Sequence, residues 1–448
     1  MLNRKLNIGF ITTVSGRWPR ELPEERERVY SRWLKDAAAF GNVECYSGGV
    51  VDSTVKVREA VDQLRGRGVD VLVLVCGAFT NDDVSSIMAE ELNVPIILWA
   101  PFEPPFAKDD RLYANALVSV TMNAASLHAL GKTNHVVYGS YDDERAAKRL
   151  LSLLRAYNVK KNLKGMLLGL FGYRPTSYYV SSFDETLIRN TFGIRMDECD
   201  LKMVFNKMEE LPEAPVKQDM ARLEQTFTIK NLPEGYLENH SRLYLALKEM
   251  MGTLGYDHAV FKCWPEMGAL KTTPCAVLGR IIDEGTVVGC EGDVDATITA
   301  IIESVISGQP AFITDMINID EKKNTLSYWH CGNAAPSLHK GEVILSNHPL
   351  AGQGTAFYTS LKTGQVTAAR FTNLKGSYKL FVFKGHAEDT ERFTKGSMIN
   401  VKPEKPVYDL LMRSIDLGVP HHYSIVWDDI YDDLILYAKL AGIEVLEI

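Results

Sequence analysis

The chain has 448 residues, of which 46% are hydrophobic and 24% are charged, and its formal net charge is −8. This length predicts two or three domains, and the composition is that of a soluble globular protein. The acidic balance argues against a surface that binds nucleic acid. The apolar runs, such as Val71 to Cys76, are too short to cross a bilayer, so we expect no membrane association.

The seven cysteines are scattered along the chain, and no CxxC pair occurs. This pattern indicates neither a disulfide framework nor a zinc knuckle. The N-terminus lacks the apolar stretch of a signal peptide and continues directly into a strand pattern. We therefore expect a cytoplasmic protein in a reducing compartment.

Residues 1–160 alternate between strand and helix patterns. The run Val69–Cys76 is almost continuously apolar, as strands inside parallel sheets are. This alternation predicts a doubly wound α/β domain. The segment SGRWPRE follows the first strand where a dinucleotide-binding GxGxxG would stand, which weighs against such a cofactor. The other predicted elements are Leu6–Thr13, Pro23–Phe40, Val43–Tyr46, Ser53–Arg67, Asn81–Leu92 and Pro95–Ala100.

Residues 161–308 predict a second α/β domain, with strands at Lys164–Gly172 and Ala259–Trp264 and an amphipathic helix at Tyr236–Thr253. Residues 309–448 contain β segments separated by glycine-bearing turns, which indicates an antiparallel sheet or barrel. The predicted fold is therefore two doubly wound, Rossmann-like α/β domains followed by a β-rich, barrel-like C-terminal domain.

The stretch Val287–Asp315 predicts a strand, a helix and a second strand, and each strand is followed by a carboxylate. We expect both strands to share one sheet, so that Glu291 and Asp315 meet at its ligand-binding edge. Two carboxylates that lie together repel each other unless a cation or a shared proton holds them. We predict a divalent cation there, with the two groups also moving protons on a substrate. Two solvated carboxylates at strand ends are the alternative.

The pair His421 and His422 begins an apolar strand after an exposed turn. Because side chains alternate along a strand, we expect one of the two to face a pocket. Imidazole together with two carboxylates suits Mn²⁺, Fe²⁺ or Co²⁺. His330 is a further candidate, and structural histidines are the alternative for these positions.

Four other side chains stand where a ligand is expected. Arg17 and Trp18 follow the first strand of the first domain, and Arg174 follows the first strand of the second. Either arginine has the chemistry to hold hydroxyl or anionic groups. Trp264 is a candidate pocket wall against a sugar ring, although a core tryptophan is the alternative reading.

These residues resemble the L-fucose isomerase and L-arabinose isomerase superfamily along essentially the whole chain. CEGD around Glu291 and FITD ending at Asp315 resemble the motifs of its two acidic metal ligands. His330 resembles an additional ligand of the arabinose type. The strand that begins with His421 and His422 resembles the segment with the C-terminal histidine ligand, and an ungapped tail alignment favours His422. SGRWPRE resembles the first-domain loop of fucose isomerases.

The resemblance implies a metal-dependent aldose–ketose isomerase that acts on an open-chain sugar through an enediolate. Its cofactor would be Mn²⁺, or another divalent cation such as Co²⁺ or Mg²⁺. The substrate would be L-fucose, D-arabinose, L-arabinose or a sulfonated hexose such as sulfoquinovose. In the last case the protein would belong to a sulfoquinovose-isomerase-like branch of the superfamily. The resemblance also implies a homo-oligomer, for which a hexamer is favoured over a dimer. Arg17 and Trp18 would then reach the site of a neighbouring subunit. The resemblance implies four metal ligands, Glu291, Asp315, His422 and His330. Glu291 and Asp315 would also be catalytic. The implied substrate contacts are Arg17, Trp18, Arg174, Trp264 and His421.

Other function classes remain open from the sequence. Two tandem α/β domains also describe a non-catalytic cytoplasmic sugar-binding protein, and an inactive family homologue would keep the same motifs. A metal-dependent aldolase or hydrolase would use the same ligands but would cleave a carbon–carbon or ester bond.

Overall fold

The computed structural model describes residues 4–104, 106 and 111–446, and the chain divides into two compact units. The first unit ends at Lys161 and the second begins at Asn162. Among the described residues, no helix is long and apolar enough to cross a membrane.

The first unit contains a five-stranded parallel sheet in the order β2-β1-β3-β4-β5, with connecting helices. The order is that of a doubly wound α/β fold, and the predicted fold class is confirmed. All six residues of β3 are buried, which explains its unbroken apolar run. The elements are β1 Leu6–Thr13, α1 Glu21–Ala37, β2 Val43–Val51, α2 Thr54–Gly66, β3 Val71–Cys76, α3 Asp83–Leu92, β4 Ile96–Ala100, α4 Ala116–Ala129, β5 Asn134–Tyr138 and α5 Glu144–Leu163.

The second unit begins with a four-stranded parallel sheet in the order β10-β9-β6-β7. Its strands are β6 Leu167–Phe171, β7 Arg195–Cys199, β9 His258–Phe261 and β10 Val288–Gly289, with the short β8 Thr228–Ile229 lying in another sheet. The helices of this part are α6 Glu185–Phe192, α7 Leu201–Glu210, α8 Glu213–Thr226, α9 Tyr236–Leu254, α10 Cys275–Asp283 and α11 Val294–Ser307.

The C-terminal half of this unit is a closed six-stranded antiparallel barrel, as the β-rich pattern predicted. Its strands follow the order β16-β15-β18-β11-β12-β17, and pairing of β16 with β17 closes the ring. Closure leaves these six strands without a free edge. The elements are β11 Phe312–Asp320, β12 Thr325–His330, β13 Ile344–Asn347, β14 Thr355–Ser360, β15 Gly364–Leu374, β16 Ser377–Glu388, β17 Ser397–Pro403, α12 Val407–Leu417, β18 His422–Val426, α13 Tyr431–Leu440 and β19 Glu444–Leu446.

The prediction that the two strands flanking α11 share one sheet is wrong. β10 lies in the parallel sheet, whereas β11 lies in the barrel. β10 is only two residues long, and β11 instead finds antiparallel partners in β12 and β18. The helix α11 is buried over nearly its whole length. It therefore joins the parallel sheet to the barrel instead of returning the chain to the same sheet.

Polar groups on α11 are bonded to the barrel strands it covers. The Thr299 hydroxyl accepts the backbone N–H of Phe371, and the Ser424 hydroxyl donates to Glu303. Asp295 accepts the Tyr378 hydroxyl at 2.6 Å. Buried polar groups are costly unless they are paired, so these bonds fix how the helix sits on the barrel.

The close packing of β10 against α11 makes Gly289 a position that tolerates no side chain. A Cβ there would overlap the hydroxyl of buried Thr297. We expect Gly289→Ala to lower the free energy of unfolding by about 1–3 kcal/mol through overpacking, measured by chemical denaturation.

Gly252→Ala is the matched control, because Gly252 is an exposed residue of α9 with open space around its Cα. We expect it to raise stability by about 0.5–1 kcal/mol. A Gly289→Ala protein as stable as the wild type would contradict the described packing of β10 on α11.

Candidate active site

Glu291 is presented by a tight turn between β10 and α11. Glu291 and Gly292 have φ values of +55° and +64°, in the left-handed region. The Gly292 N–H donates to the Phe261 carbonyl at 3.2 Å, and a Cβ at Gly292 would overlap the Tyr173 carbonyl oxygen. The turn is thus clamped between β9 and the loop after β6, which holds the Glu291 carboxylate in one place.

Asp315 lies within β11 and not after the end of a strand, so the predicted position of its carboxylate at a strand end is wrong. It pairs directly with His422 across the antiparallel register of β11 and β18. Residues directly opposite each other project from the same face of a sheet. The register, and not a shared parallel-sheet edge, therefore brings Asp315 and His422 together.

The side chains of these elements converge on His422. Its Nε2 lies 3.5 Å from Glu291 Oε2 and 3.6 Å from Asp315 Oδ1. The ligand atoms of Glu291, His330 and His422 all lie within 4.8 Å of one another, and so do those of Asp315, His421 and His422. The structure thus brings together all five residues that the sequence singled out as ligands or as the histidine pair.

The expectation that only one of the two adjacent histidines faces the site is wrong. β18 begins at His422. His421 therefore precedes the strand, and the alternation of side chains between the two faces of a strand does not apply to it. The rings are 3.9 Å apart, and His421 Nε2 lies 3.8 Å from Glu291 Oε2 and 3.9 Å from Asp315 Oδ1. His422 is fully buried, whereas 40% of the His421 side chain is exposed. His421 therefore lies on the solvent side of the carboxylates.

Asp293 orients His422 from behind. The His422 Nδ1 lies 2.9 Å from Asp293 Oδ2, and the Arg370 guanidinium makes two bonds to the same carboxylate at 2.9 and 3.0 Å. Burial opposes ionisation of Asp293, but Arg370 and then His422 hold its pKa well below the usual range. An ionised carboxylate only accepts hydrogen bonds, so His422 donates from Nδ1, and the neutral ring has its lone pair on Nε2.

His330 has the opposite arrangement. Its Nδ1 accepts the backbone N–H of Cys331 at 2.9 Å, so the neutral ring carries its proton on Nε2. Burial lowers the pKa of His330, but the Cys331 thiol and then the charges of Asp315 and Glu291 outweigh burial and raise it to about 10. Nε2 bears a proton in the neutral and the charged ring alike.

Three polar atoms that face this site are buried without a hydrogen-bond partner among the described residues. They are His422 Nε2, His330 Nε2 and Asp315 Oδ1. The pKa of Glu291 is lowered, because contact with His421 and the charges of His330 and His422 outweigh the effect of burial. Buried polar atoms are normally satisfied, so this group of atoms indicates a place for a ligand or an ion.

Aromatic side chains form one wall of the site. The Tyr178 ring contacts Trp264 edge-on, with centroids 5.3 Å apart, and His421 at 6.3 Å. Burial, and next the negative charge of Glu291, raise the pKa of Tyr178. Trp264 is exposed and packs against the Tyr178 ring, and its role as a pocket wall stays a prediction. Tyr178 was missed by the sequence reasoning, since the loop YRPTSYYVSS contains no pattern that distinguishes one tyrosine.

The predicted arginines lie in different units. The Arg174 backbone contacts the Gly292 turn, and its guanidinium lies over the rings of Tyr173 and Tyr179 at 5.4 and 5.2 Å. Arg17 and Trp18 belong to the first unit, where they line a cavity of about 320 Å³ with Pro19, Arg111, Leu112 and Tyr113.

Beside His330, the thiol of Cys331 is packed with Cys275, which stands on α10. Hydrogen bonding with Cys275 lowers the pKa of Cys331 against the opposing effect of burial, and the rings of His330 and His348 act in the same direction. Among the described residues, no cysteine joins the groups with metal-ligand geometry.

Asp293 and Arg370 were also missed, although each has a signal in the sequence. Asp293 directly precedes the apolar helix α11 and caps it by accepting the Ala296 N–H at 2.9 Å. Arg370 interrupts an apolar strand, and a charged residue there is rarely buried unless it is paired.

Removal of the Asp293 carboxylate should be costly, because it leaves the fully buried Arg370 guanidinium without its partner. We expect Asp293→Ala to lower the free energy of unfolding by about 3–5 kcal/mol. Asp389→Ala is the control, since Asp389 pairs with Lys340 on the surface, and we expect a loss below about 1 kcal/mol. Equal losses in the two variants by chemical denaturation would contradict the assigned role.

Comparison with known proteins found relatives along most of the chain. Residues 9–164 match a family model described as the fucose/sulfoquinovose isomerase N-terminal domain. The chain is 25% identical over 399 residues to proteins named sulfoquinovose isomerase from Priestia aryabhattai and Priestia megaterium, which covers 88% of this chain and 89% of each relative. A protein of that name from Alkalicoccus urumqiensis is 25% identical over 386 residues, covering 85% of this chain and 86% of the relative. The chain is therefore similar to the fucose/sulfoquinovose isomerases, by the family model in its N-terminal part and by these relatives over most of its length.

Proposed function

We propose that this protein is an aldose–ketose isomerase that depends on a divalent cation, and that it converts an open-chain sulfonated aldose, such as sulfoquinovose, into the corresponding ketose through an enediolate. The observation that carries the proposal is that Glu291 Oε2 and Asp315 Oδ1 lie 3.5 and 3.6 Å from His422 Nε2, with unpaired buried atoms at the same place. Enediolate chemistry needs a base, an acid and a means to stabilise a developing oxyanion, and this set provides the groups for each role.

The donor atoms fit a divalent metal ion. Two carboxylates and one imidazole are a ligand set that suits Mn²⁺, Fe²⁺ or Co²⁺, and we propose Mn²⁺ as the cofactor, with Co²⁺ or Mg²⁺ as substitutes. Asp315 Oδ1 and His422 Nε2 have no hydrogen-bond partner among residues 4–104, 106 and 111–446. The bond from His422 Nδ1 to Asp293 is the support that metal-binding histidines usually have behind them.

A bound divalent cation supplies Lewis-acid stabilisation of the negative charge that develops on the C1 and C2 oxygens of the sugar. Of Glu291 and Asp315, one removes the proton from C2, and the other manages hydroxyl protons or returns a proton to C1. The lowered pKa of Glu291 keeps that carboxylate ionised and able to accept a proton. Tyr178, Trp264 and His421 form a row of contacting rings beside the carboxylates.

The sulfonated substrate is proposed from the relatives named sulfoquinovose isomerase and from the position of Arg174. The backbone of Arg174 lies beside the turn that presents Glu291, and its guanidinium lies over the rings of Tyr173 and Tyr179. Its buried Nε has no hydrogen-bond partner among the described residues. A guanidinium binds anionic oxygens through a planar set of donors. We propose that Arg174 binds the sulfonate while the other end of the sugar lies at the carboxylates.

We further propose a homo-oligomer, with a hexamer favoured by the resemblance to fucose isomerases. In that arrangement Arg17 and Trp18 complete the site of a neighbouring subunit. Exposure of Arg17 in the isolated chain is compatible with such a contact. Light scattering of the purified protein tests this, and a monomer with full activity would exclude it.

Glu291→Gln and Asp315→Asn should each abolish isomerisation while the fold is kept, because an amide neither accepts the proton nor carries the charge that holds a cation. We expect turnover to fall by at least about 10³-fold. The measurement is NMR-detected deuterium incorporation at C2 of the aldose or C1 of the ketose in D₂O, after chelation and again after Mn²⁺ is restored.

Asp320→Asn is the matched control, because Asp320 stands at the far end of the same strand β11 and is bonded to the turn that follows it. Wild-type exchange in either site variant would contradict the assigned roles. Exchange that persists after chelation would exclude the metal, and sugar binding without exchange would indicate a non-catalytic homologue.

Arg174→Gln should raise the KM for sulfoquinovose by about 10- to 100-fold, as expected for loss of a hydrogen bond between charged groups. The KM for a neutral aldose should change little, so the ratio of the two KM values is the readout. Arg222→Gln, at an exposed arginine of α8, is the control. Equal changes for the sulfonated and neutral sugars would contradict a sulfonate-binding role.

A further inference from the structure

We infer that His330 is not a metal ligand but a hydrogen-bond donor to an oxygen of the open-chain sugar. The inference rests on the proposed function and refines it, because distance alone would include His330 among the ligands. The distinction comes from the hydrogen bonds made by the far nitrogen of each ring.

His422 and His330 present the same atom, Nε2, to the site in different chemical forms. His422 Nδ1 faces the Asp293 carboxylate, which only accepts, so its Nε2 offers a lone pair. His330 Nδ1 faces the Cys331 backbone N–H, which only donates, so its Nε2 offers an N–H. A metal ion needs a lone pair, and a negatively charged oxygen needs a donor.

The peptide that sets the orientation of His330 is firmly held. The next residue, Gly332, accepts the Phe357 N–H at 3.1 Å, and a Cβ at Gly332, whose φ is +108°, would meet the Phe357 backbone at 2.6 Å. A Cβ on Gly396 would overlap the His330 carbonyl oxygen. The peptide cannot turn its N–H away from Nδ1 without disturbing two neighbouring strands, so the proton position on the ring is fixed by the backbone.

The Nε2–H of His330 needs an acceptor that the protein does not provide. Only 1% of the residue is exposed, and Nε2 has no hydrogen-bond partner among the described residues. A ring nitrogen of His330 lies within 4.8 Å of ligand atoms of Glu291 and His422. Because Nδ1 is engaged by the Cys331 N–H, Nε2 is the atom left to face the space where we place the sugar. A preorganised donor at the site of developing charge stabilises the transition state, and the enediolate oxygen is the acceptor we assign.

The test separates metal binding from turnover. His330→Leu removes the donor, His330→Gln keeps an N–H of similar reach, and His422→Leu removes the assigned ligand. Mn²⁺ binding to the chelated protein is measured by calorimetry, and isomerisation is followed by deuterium exchange. Circular dichroism and thermal unfolding verify that each variant is folded, and His330→Gln keeps the test decisive if the leucine variant does not fold.

We expect both His330 variants to bind Mn²⁺ within about threefold of the wild type, whereas His422→Leu loses at least about 100-fold in affinity. We expect kcat to fall by about 10²- to 10³-fold in His330→Leu and to recover at least about tenfold in His330→Gln. Loss of Mn²⁺ affinity in the His330 variants comparable to that of His422→Leu would overturn the inference, and so would a wild-type kcat in His330→Leu. A wild-type protein that binds no Mn²⁺ would instead refute the proposed function.

Discussion

The candidate site depends on one buried charged contact, that of Asp293 with Arg370 and His422. This carboxylate caps α11, pairs with an arginine of β15 and bonds a histidine of β18. Because a buried charge is costly unless it is fully paired, these three elements have one favourable arrangement. Glu291 stands two residues before Asp293 in the same turn. The contact that locks the helix onto the barrel therefore also sets the distance between Glu291 and His422.

The sequence predicted the fold class because hydrophobic periodicity is a local property. β1, β3 and β4 were recognised from continuous apolar runs that reflect burial on both faces. β7 was missed, since it is an edge strand of sequence RMDEC whose residues are mostly exposed. The sequence does not distinguish an open antiparallel sheet from a closed barrel, because closure depends on the pairing of β16 with β17 and not on any single segment.

The sequence also identified most residues of the candidate site, but not the reason they meet. Glu291 and Asp315 were expected at one edge of a single parallel sheet, whereas they come from two different sheets. Asp315 reaches the site because it is opposite His422, more than a hundred residues later, in an antiparallel register. Registers between distant strands are set by the assembled core. Likewise, an arginine at position 370 of an apolar strand indicates that it has a buried carboxylate partner. The sequence does not indicate that this partner is Asp293, because the two residues are 77 positions apart.

The balance of charge around the site favours a bound cation. Of the three nearby carboxylates, Asp293 is paired with the guanidinium of Arg370, whereas Glu291 and Asp315 lie beside the imidazoles of His421 and His422. The raised pKa of His330 is partly a response to these charges, since a proton on the ring offsets them when nothing else does. A divalent cation would offset both carboxylates, but the Cys331 thiol, which is the first cause of the raised pKa, would remain. The His330 Nε2 carries a proton whether the ring is neutral or charged, so it can donate to an enediolate oxygen in either form.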